Sequence, residues 1–388
     1  MWRHPGSGRI APLPVTAEQE ATTLGALKDY GRFCKRFAGP LLEHMSTKDV
    51  ARDLDVLRQA AGDSKLNYVG FSYGTLLGAT YVNLFPKNAR AIILDGNVDP
   101  SLRLSDGVEY DRQRTGGFEL ALDAYLAECD AVGDLCSFSG GAREKYDTLR
   151  THLREVGPIT LPDGFVVDEA ILTDTVAGVL YAPAAFQDLA DALQQVWNLI
   201  DPATSARAAV TLTGQSLARL QGSRGRADLL PYAPYARDDS YLAVNCSDKP
   251  FRNRPSGVPT LADKWERQMP NFGRYLAWND PAACPSWPVR DPDPYEGPWN
   301  KKTANPVLVF GNYYDPATQY EFSRRMSRQL GNARLVSVDS FGHCILGDST
   351  CTDLIAADYL VNLKVPAPGT VCHPDVQPFP APPTARTS

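Results

Sequence analysis

The chain has 388 residues, and its 39 Lys and Arg against 45 Asp and Glu give a formal net charge of −6. Hydrophobic residues make up 43% of it, a globular composition that excludes a mostly disordered or collagen-like chain. Because no long basic run is present, nucleic acid is not expected as a partner. No apolar run reaches the roughly 18–20 residues that cross a bilayer, and residues 1–8 show no apolar signal-peptide core.

The eight cysteines point to an exported protein. None of them lies in a C-x-x-C or Cys/His zinc pattern, so we expect no metal site. An even number in loop-rich segments favours disulfides and an oxidising compartment, with eight ordinary buried thiols as the alternative. The short separations suggest the pairs Cys129–Cys136 and Cys344–Cys351. A Cys246–Cys284 bond would tie the cap together, which leaves Cys34–Cys372, although many other connectivities are open.

Helical and strand patterns alternate after residues 1–20, which look irregular. Residues 47–62 carry Val50, Leu54, Val56 and Leu57 at helical spacing, between a possible cap at Thr47 and a stop at Gly62. A strand is predicted over 66–70, a helix over 73–85 and a strand over 89–94. The last of these is apolar almost throughout, as in a parallel sheet that is covered on both faces.

The pattern changes between residues 99 and 300, where no strand of comparable strength appears. Helices are predicted there over 117–130, 141–155, 168–199, 203–221 and 257–269. A proline-rich connector over 280–300 then leads to a strand at 306–311, a helix at 318–330, a strand at 333–338 and a helix at 352–363. The sequence therefore predicts an α/β core of residues 1–98 and 301–372, a helical cap of residues 99–300, and a Pro-rich, loose tail of residues 373–388.

The strongest chemical signal is Gly70-Phe71-Ser72-Tyr73-Gly74, which matches G-x-S-x-G between a predicted strand and a predicted helix. The two glycines allow a sharp turn that lifts the Ser72 hydroxyl above the sheet edge, at a helix N-terminus that favours developing negative charge. Ser72 is therefore the candidate nucleophile, and the backbone N–H of Tyr73 is a candidate oxyanion donor.

A nucleophilic serine needs a base, and the base needs an orienting acid. Asp315 follows the strand predicted over 306–311, and His343 follows the strand predicted over 333–338. This chain order of serine, acid and histidine is the one that G-x-S-x-G hydrolases use. Asp315 and His343 are the candidate partners of Ser72, and Asp339 is the competing acid.

These segments resemble the secreted tripeptidyl aminopeptidases of the α/β-hydrolase superfamily, relatives of the proline iminopeptidases. The resemblance is strong over 50–100 and 306–372, includes Asn245-Cys246-Ser247-Asp248, and is weak across the rest of the insert. It implies an α/β-hydrolase fold with a large helical cap over the site. It also implies Ser72, Asp315 and His343 as the triad, export from the cell, and cleavage of short peptides from a free N-terminus.

The same resemblance implies a further N-terminal region that this sequence does not contain, with the first strands of the sheet and a His-Gly-Gly-Pro-type loop. That loop supplies a second oxyanion N–H. Trp2 to Arg9 are similar to the turn that follows the fourth strand of the family. The first strands are therefore expected to be missing, through either a misplaced start codon or a real truncation.

An aminopeptidase must also hold the substrate ammonium, usually with a carboxylate, for which Asp248, Glu266 and Asp239 are candidates. The predicted function is a serine hydrolase that releases short peptides from free N-termini without metal or organic cofactor. A carboxylesterase acting on small esters uses the same triad and is the alternative. A catalytically impaired, truncated paralogue is the third reading.

Overall fold

A five-stranded parallel sheet organises the larger of two compact units. The computed structural model describes residues 12–201, 210–221 and 240–380. The larger unit contains the described residues up to 117 and from 240 to 374, and the smaller unit those from 118 to 221 and from 375. The sheet strands are β1 (Leu66–Phe71), β2 (Ala89–Asp95), β5 (Val307–Tyr314), β6 (Ala333–Phe341) and β7 (Val371–Cys372). They lie in the order β1-β2-β5-β6-β7, and every pairing is parallel.

Ten helices of the described residues lie wholly in the larger unit: α1 (Ala17–Ala38), α2 (Thr47–Ala60), α3 (Tyr73–Leu84), α4 (Pro100–Ser105), α10 (Ser240–Asp248), α11 (Val258–Gln268), α12 (Gly273–Ala277), α13 (Asp280–Ala283), α14 (Tyr320–Gln329) and α15 (Thr350–Asn362). Helix α1 begins inside the stretch that looked irregular. A capping box between Thr16 and Gln19 starts it.

Helix α5 (Gly107–Val132) begins in the larger unit and continues into the smaller one. The smaller unit also contains α6 (Ala142–Glu155), β3 (Ile159–Thr160), β4 (Val166–Val167), α7 (Glu169–Val179), α8 (Phe186–Ile200) and α9 (Gly214–Gln221). The single helix predicted over 168–199 is thus two helices, because Pro183 opens a 3₁₀ turn between them. Part of the helix predicted over 203–221 lies outside the described residues.

Alternating side chains of the sheet build two separate cores. Ile92 and Leu94 of β2 pack with buried residues of α3 and α14 on one face. Ala91 and Ile93 of the same strand pack on the other face, with residues of α15 such as Tyr359. The continuous apolar run in β2 is therefore explained by burial on both faces, as the sequence predicts.

The boundaries between the two compact units differ from the predicted boundaries between core and cap. Residues 99–117 and 240–300 belong to the unit that contains the sheet, whereas the predicted cap includes both segments. The Pro-rich tail also differs from its prediction as far as it is described. Phe379 is buried in the smaller unit, beside the rings of Tyr125 and Phe186.

Helix α2 exposes two of its large apolar residues and buries two charged ones. Val56 and Leu57 are 61% and 64% exposed, whereas Lys48 and Asp55 are buried. The buried Asp55 accepts hydrogen bonds from Arg58, Tyr81, Asn88 and Gln59. Strand β1 forms one edge of the described sheet, with Val69 and Phe71 partly exposed. The inner face of helix α2 therefore combines these polar contacts with Ala51 and Leu54, which pack on the core, while Val56 and Leu57 lie outside that contact.

Three disulfides are formed. The predicted pairs Cys129–Cys136 and Cys246–Cys284 are confirmed. The predicted pairs Cys344–Cys351 and Cys34–Cys372 are wrong, since Cys351 bonds to Cys372. Cys351 lies at the start of α15 and Cys372 in β7, with their Cα atoms 5.8 Å apart, whereas the Cys344 thiol turns toward the carbonyl of Asp95.

The disulfides are compatible with an extracellular location, because such bonds persist in oxidising compartments. Over the described part of the chain, no helix combines the length and apolarity that spanning a bilayer requires.

Candidate active site

Ser72 lies in a strained turn between β1 and α3. Its φ of 53° and ψ of −121° fall in a region that non-glycine residues seldom adopt. The flanking glycines make the turn possible. A Cβ on Gly70 would lie 2.5 Å from the carbonyl oxygen of Gly74, and a Cβ on Gly78 would lie 2.6 Å from Leu94 of β2. The strand and the helix therefore approach each other as a G-x-S-x-G turn requires.

Backbone hydrogen bonds fix the Ser72 turn on both sides. The Ser72 N–H donates to the carbonyl of Asp95 at 2.9 Å. The Ser72 carbonyl accepts from the N–H of Thr75 at 2.9 Å and from its hydroxyl at 2.6 Å. Thr75 is fully buried, and its hydroxyl also accepts the N–H of Val98. These bonds hold a conformation that would otherwise relax.

Asp315 and His343 form a hydrogen-bonded acid–histidine pair. Asp315 follows β5 directly, His343 lies two residues after β6, and the two strands are neighbours. His343 Nδ1 lies 2.9 Å from Asp315 Oδ2 and 3.1 Å from Oδ1. With a carboxylate as its partner, Nδ1 carries the proton and Nε2 is the proton acceptor.

Asp315 is held rigidly as the partner of His343. Its Oδ1 accepts the N–H groups of Ala317 and Thr318, both at 2.8 Å. Its Oδ2 accepts the Thr318 hydroxyl at 2.8 Å. The competing acid, Asp339, is half-exposed and lies 3.9 Å from Nδ1 of His373 instead. Among these contacts, the geometry favours Asp315 over Asp339 as the partner of His343.

Ser72, Asp315 and His343 each follow a strand of one parallel sheet. The carboxyl ends of parallel strands meet at one edge, which is where ligands bind in open α/β sheets. Tyr73 opens α3, so its N–H belongs to the positive end of a twelve-residue helix. The Tyr73 hydroxyl lies 2.7 Å from that of Thr47, and burial raises its pKa. Tyr73 is therefore anchored by its side chain, with its N–H beside Ser72.

Two residues that the sequence analysis missed hold the loop of His343. Asn312 of β5 donates from Nδ2 to the carbonyls of Gly342 and Cys344, at 3.0 and 2.9 Å. Asp95, the last residue of β2, accepts the N–H groups of the two residues that follow Cys344. A polar residue in the last three positions of an otherwise apolar strand is the sequence signal that identifies both.

Gly96 leaves the space that the His343 ring occupies. A Cβ there would lie 3.1 Å from His343 Cε1 and 2.6 Å from Cys344 Sγ, and Gly96 has a φ of +68°. We expect Gly96→Ala to lower kcat by more than ~10-fold, because the imidazole must move, and to destabilise the fold by about 1–2 kcal/mol. Steady-state kinetics and thermal unfolding measure the two effects.

Gly133→Ala is the matched control, because Gly133 has a φ of +58° and nothing within 4 Å of an added Cβ. It should cost similar stability and leave kcat unchanged. Unchanged kcat in Gly96→Ala as well would contradict the stated position of the His343 ring.

Two of the three candidate ammonium ligands lie in the described part of the chain, in different surroundings. Asp248 is buried, its Oδ2 accepts the N–H of Thr47 at 2.8 Å, and burial raises its pKa. Asp248 Oδ1 has no hydrogen-bond partner among the described residues. Glu266 accepts a hydrogen bond from Arg274 at 2.8 Å, a cationic partner that it shares with Glu20 and Asp263. Asp239 lies outside the described residues.

Residues 20–131 match a family model described as alpha/beta hydrolase fold, and residues 268–372 match one described as TAP-like protein. Serine protease Hip1 of Mycobacterium tuberculosis is 30% identical over 88% of this chain and 64% of its own length. Tripeptidyl aminopeptidase of Streptomyces lividans is 26% identical over 95% of this chain and 66% of its own length. Carboxylesterase B of M. tuberculosis is 30% identical, over 87% and 62%.

The parallel sheet, the strained serine turn and these matches define an α/β-hydrolase fold, as the sequence predicts. Within that fold, residues 268–372 are TAP-like, and the matched relatives include a tripeptidyl aminopeptidase and a serine protease. The chain spans slightly less than two thirds of the length of the relatives described above.

Proposed function

We propose that this protein is a serine peptidase that releases short peptides from free N-termini through an acyl-enzyme. The carrying observation is the 2.9 Å contact between His343 Nδ1 and Asp315 Oδ2, at the sheet edge where Ser72 occupies its strained turn. Relatives named serine protease and tripeptidyl aminopeptidase support the choice of a peptide substrate.

In the proposed first step, Ser72 Oγ attacks the substrate carbonyl carbon while His343 Nε2 takes the hydroxyl proton. The carbonyl becomes a tetrahedral oxyanion, and the Tyr73 N–H donates to it. Asp315 stabilises the imidazolium through Nδ1–H and keeps its own charge. His343 then protonates the leaving amine, the C–N bond breaks, and the acyl group stays on Ser72.

In the second step, water takes the place of the amine. His343 removes a proton from water, the resulting hydroxide adds to the acyl carbon, and the collapse returns the proton to Ser72 Oγ. The imidazole passes the serine proton to the leaving amine and later gives Ser72 Oγ a proton from water, so the scheme balances without metal or organic cofactor.

For the substrate ammonium, Asp248 is the stronger of the two candidate carboxylates. Its Oδ1 has no described hydrogen-bond partner, whereas Glu266 already pairs with Arg274. A buried carboxylate oxygen without a partner is costly, and a bound ammonium would remove that cost.

A carboxylesterase is the second candidate, because a relative carries that name and the same triad cleaves esters. The two candidates differ in what they require of the substrate. A peptidase that recognises a free N-terminus loses its substrate when the terminus is acylated, whereas an esterase is indifferent to an ammonium.

The test compares three chromogenic substrates with the purified full chain. These are a tripeptide anilide with a free amine, its N-acetylated form, and a short-chain p-nitrophenyl ester. We expect kcat/KM to fall by at least ~100-fold on acetylation, which corresponds to a lost charged hydrogen bond. Equal cleavage of both anilides, or cleavage of the ester alone, would favour the esterase. Cleavage of none by a folded sample would favour the impaired paralogue.

A further inference from the structure

Asp95 is a buried carboxylate that the reaction scheme above leaves without a role. It ends β2, which lies between the strand that leads to Ser72 and the strand that leads to Asp315. Its main-chain carbonyl accepts the Ser72 N–H at 2.9 Å. Its Oδ2 accepts the N–H groups of Ile345 and Leu346, both at 2.9 Å. One residue therefore bonds to the backbone of the nucleophile and to the loop that carries His343.

The carboxylate lies in surroundings that disfavour a charge. Its side chain is fully buried, and Oδ1 has no hydrogen-bond partner within the described ranges. The titratable groups that face it are His343, Asp315 and Cys344. Burial is the main cause that raises the pKa of Asp95 and the Asp315 charge adds to it, while the two N–H bonds and His343 oppose it, which leaves the pKa at about 6. Burial also raises the pKa of the Cys344 thiol, which therefore stays neutral.

A buried, half-satisfied carboxylate costs folding free energy whenever it is charged. An amide of the same shape would accept the same two N–H groups without that cost. The negative charge of Asp95 therefore does not stabilise the fold. Its neighbour His343 becomes positively charged during the proposed reaction, and the charge of Asp95 can act on that imidazolium.

We propose that Asp95 is a positioning residue for His343. It fixes the histidine loop relative to Ser72 through two N–H groups, and its negative charge stabilises the imidazolium that forms when His343 takes the serine proton. The inference rests on the proposed function, and Asp95 acts through His343 rather than on the substrate.

The first test separates charge from shape. Asp95→Asn keeps an acceptor for both N–H groups but removes the charge, whereas Asp95→Ala removes both. We expect kcat at pH 8 to fall by about 10-fold in Asp95→Asn and by about 100-fold in Asp95→Ala, with KM nearly unchanged. Wild-type kcat in Asp95→Asn, or a loss that appears only in KM, would overturn the proposal.

The second test is the pH dependence of the ratio of wild-type kcat to Asp95→Asn kcat. Below pH 6 the wild-type carboxyl is protonated and resembles the amide, and above pH 6 it is charged. The ratio of wild-type kcat to Asp95→Asn kcat should therefore rise from near 1 at pH 5 to about 10 at pH 8. A ratio that stays constant from pH 5 to pH 8 would assign Asp95 a purely structural role.

The third test is stability, for which Asp55→Asn is the matched control. Asp55 is equally a buried carboxylate, but the Arg58 hydrogen bond lowers its pKa, so its charge stabilises the fold at neutral pH. Its partner Tyr81 lies roughly 13 Å along α3 from Ser72. At pH 8, Asp55→Asn should lower Tm and keep kcat, whereas Asp95→Asn should keep or raise Tm and lower kcat.

These results distinguish a failure of the role proposed for Asp95 from a failure of the proposed peptidase function. An active wild-type enzyme with an equally active Asp95→Asn variant would refute the role of Asp95 and leave the function intact. An inactive wild-type chain that is folded would refute the function itself.

Discussion

Replacing Ser72 by alanine should lower kcat by about 10⁵–10⁶-fold on any substrate that the wild-type chain cleaves, while KM changes little. The hydroxyl is the atom that forms the acyl bond in the proposed scheme, so no neighbouring group can substitute for it. A fluorophosphonate probe followed by peptide mapping gives a readout that is independent of substrate choice. Wild-type protein should carry the adduct on Ser72, and Ser72→Ala should carry none.

The side chain of Ser72 makes no cap hydrogen bond to α3, so its loss should not unfold the protein. Alanine is also no worse than serine at a positive φ, and equal Tm values are therefore expected. Ser105→Ala is the matched control, because Ser105 is an exposed serine at the end of α4. If Ser72→Ala kept its activity or its adduct, another nucleophile would have to replace Ser72 in the mechanism.

Local signals were sufficient to predict the elements that carry the site. The motif around Ser72 specifies a strand, a turn and a helix at once, and β1 and α3 lie where it predicts them. The apolar run before Asp315 likewise identifies a strand that is buried on both faces. Hydrophobic periodicity is strong in such strands because each residue packs against one of two helical layers.

Contacts that depend on distant parts of the chain could not be predicted in this way. Asp95 appears in the sequence as the last residue of a strand, and only the pairing of β2 with its neighbours brings it to the loop after His343. The disulfides show the same limit. Cys344 and Cys351 are close in sequence, but β7 lies beside β6 and brings Cys372 to Cys351.

Helix α2 shows that an apolar stripe does not always identify the buried face. Leu54 packs against the core, but Val56 and Leu57 are exposed, and the charged Asp55 is buried because Arg58, Tyr81 and Asn88 bond to it. Exposed apolar residues beside β1, which is an edge strand among the described residues, are typical of surfaces that bind another segment or chain. Hydrophobic periodicity alone does not show which residues pack on an apolar face of a helix.

The second large effect is expected for Asp315→Asn, which should lower kcat by about 10⁴-fold at pH 7. The surroundings dictate how the amide would sit. The N–H groups of Ala317 and Thr318 both donate to Oδ1, so the amide oxygen must remain there. The amide nitrogen then takes the place of Oδ2, 2.9 Å from Nδ1 of His343.

At that distance the amide donates to His343 Nδ1, which must therefore give up its proton to Nε2. An imidazole protonated on Nε2 cannot take the proton of Ser72, so the fold is preserved while the base is lost. Steady-state kinetics measure the loss, and ¹⁵N NMR of the imidazole reports the tautomer. Asp339→Asn is the control, because Asp339 contacts His373 and should leave kcat unchanged. Full activity in Asp315→Asn together with its loss in Asp339→Asn would transfer the role of the acid to Asp339.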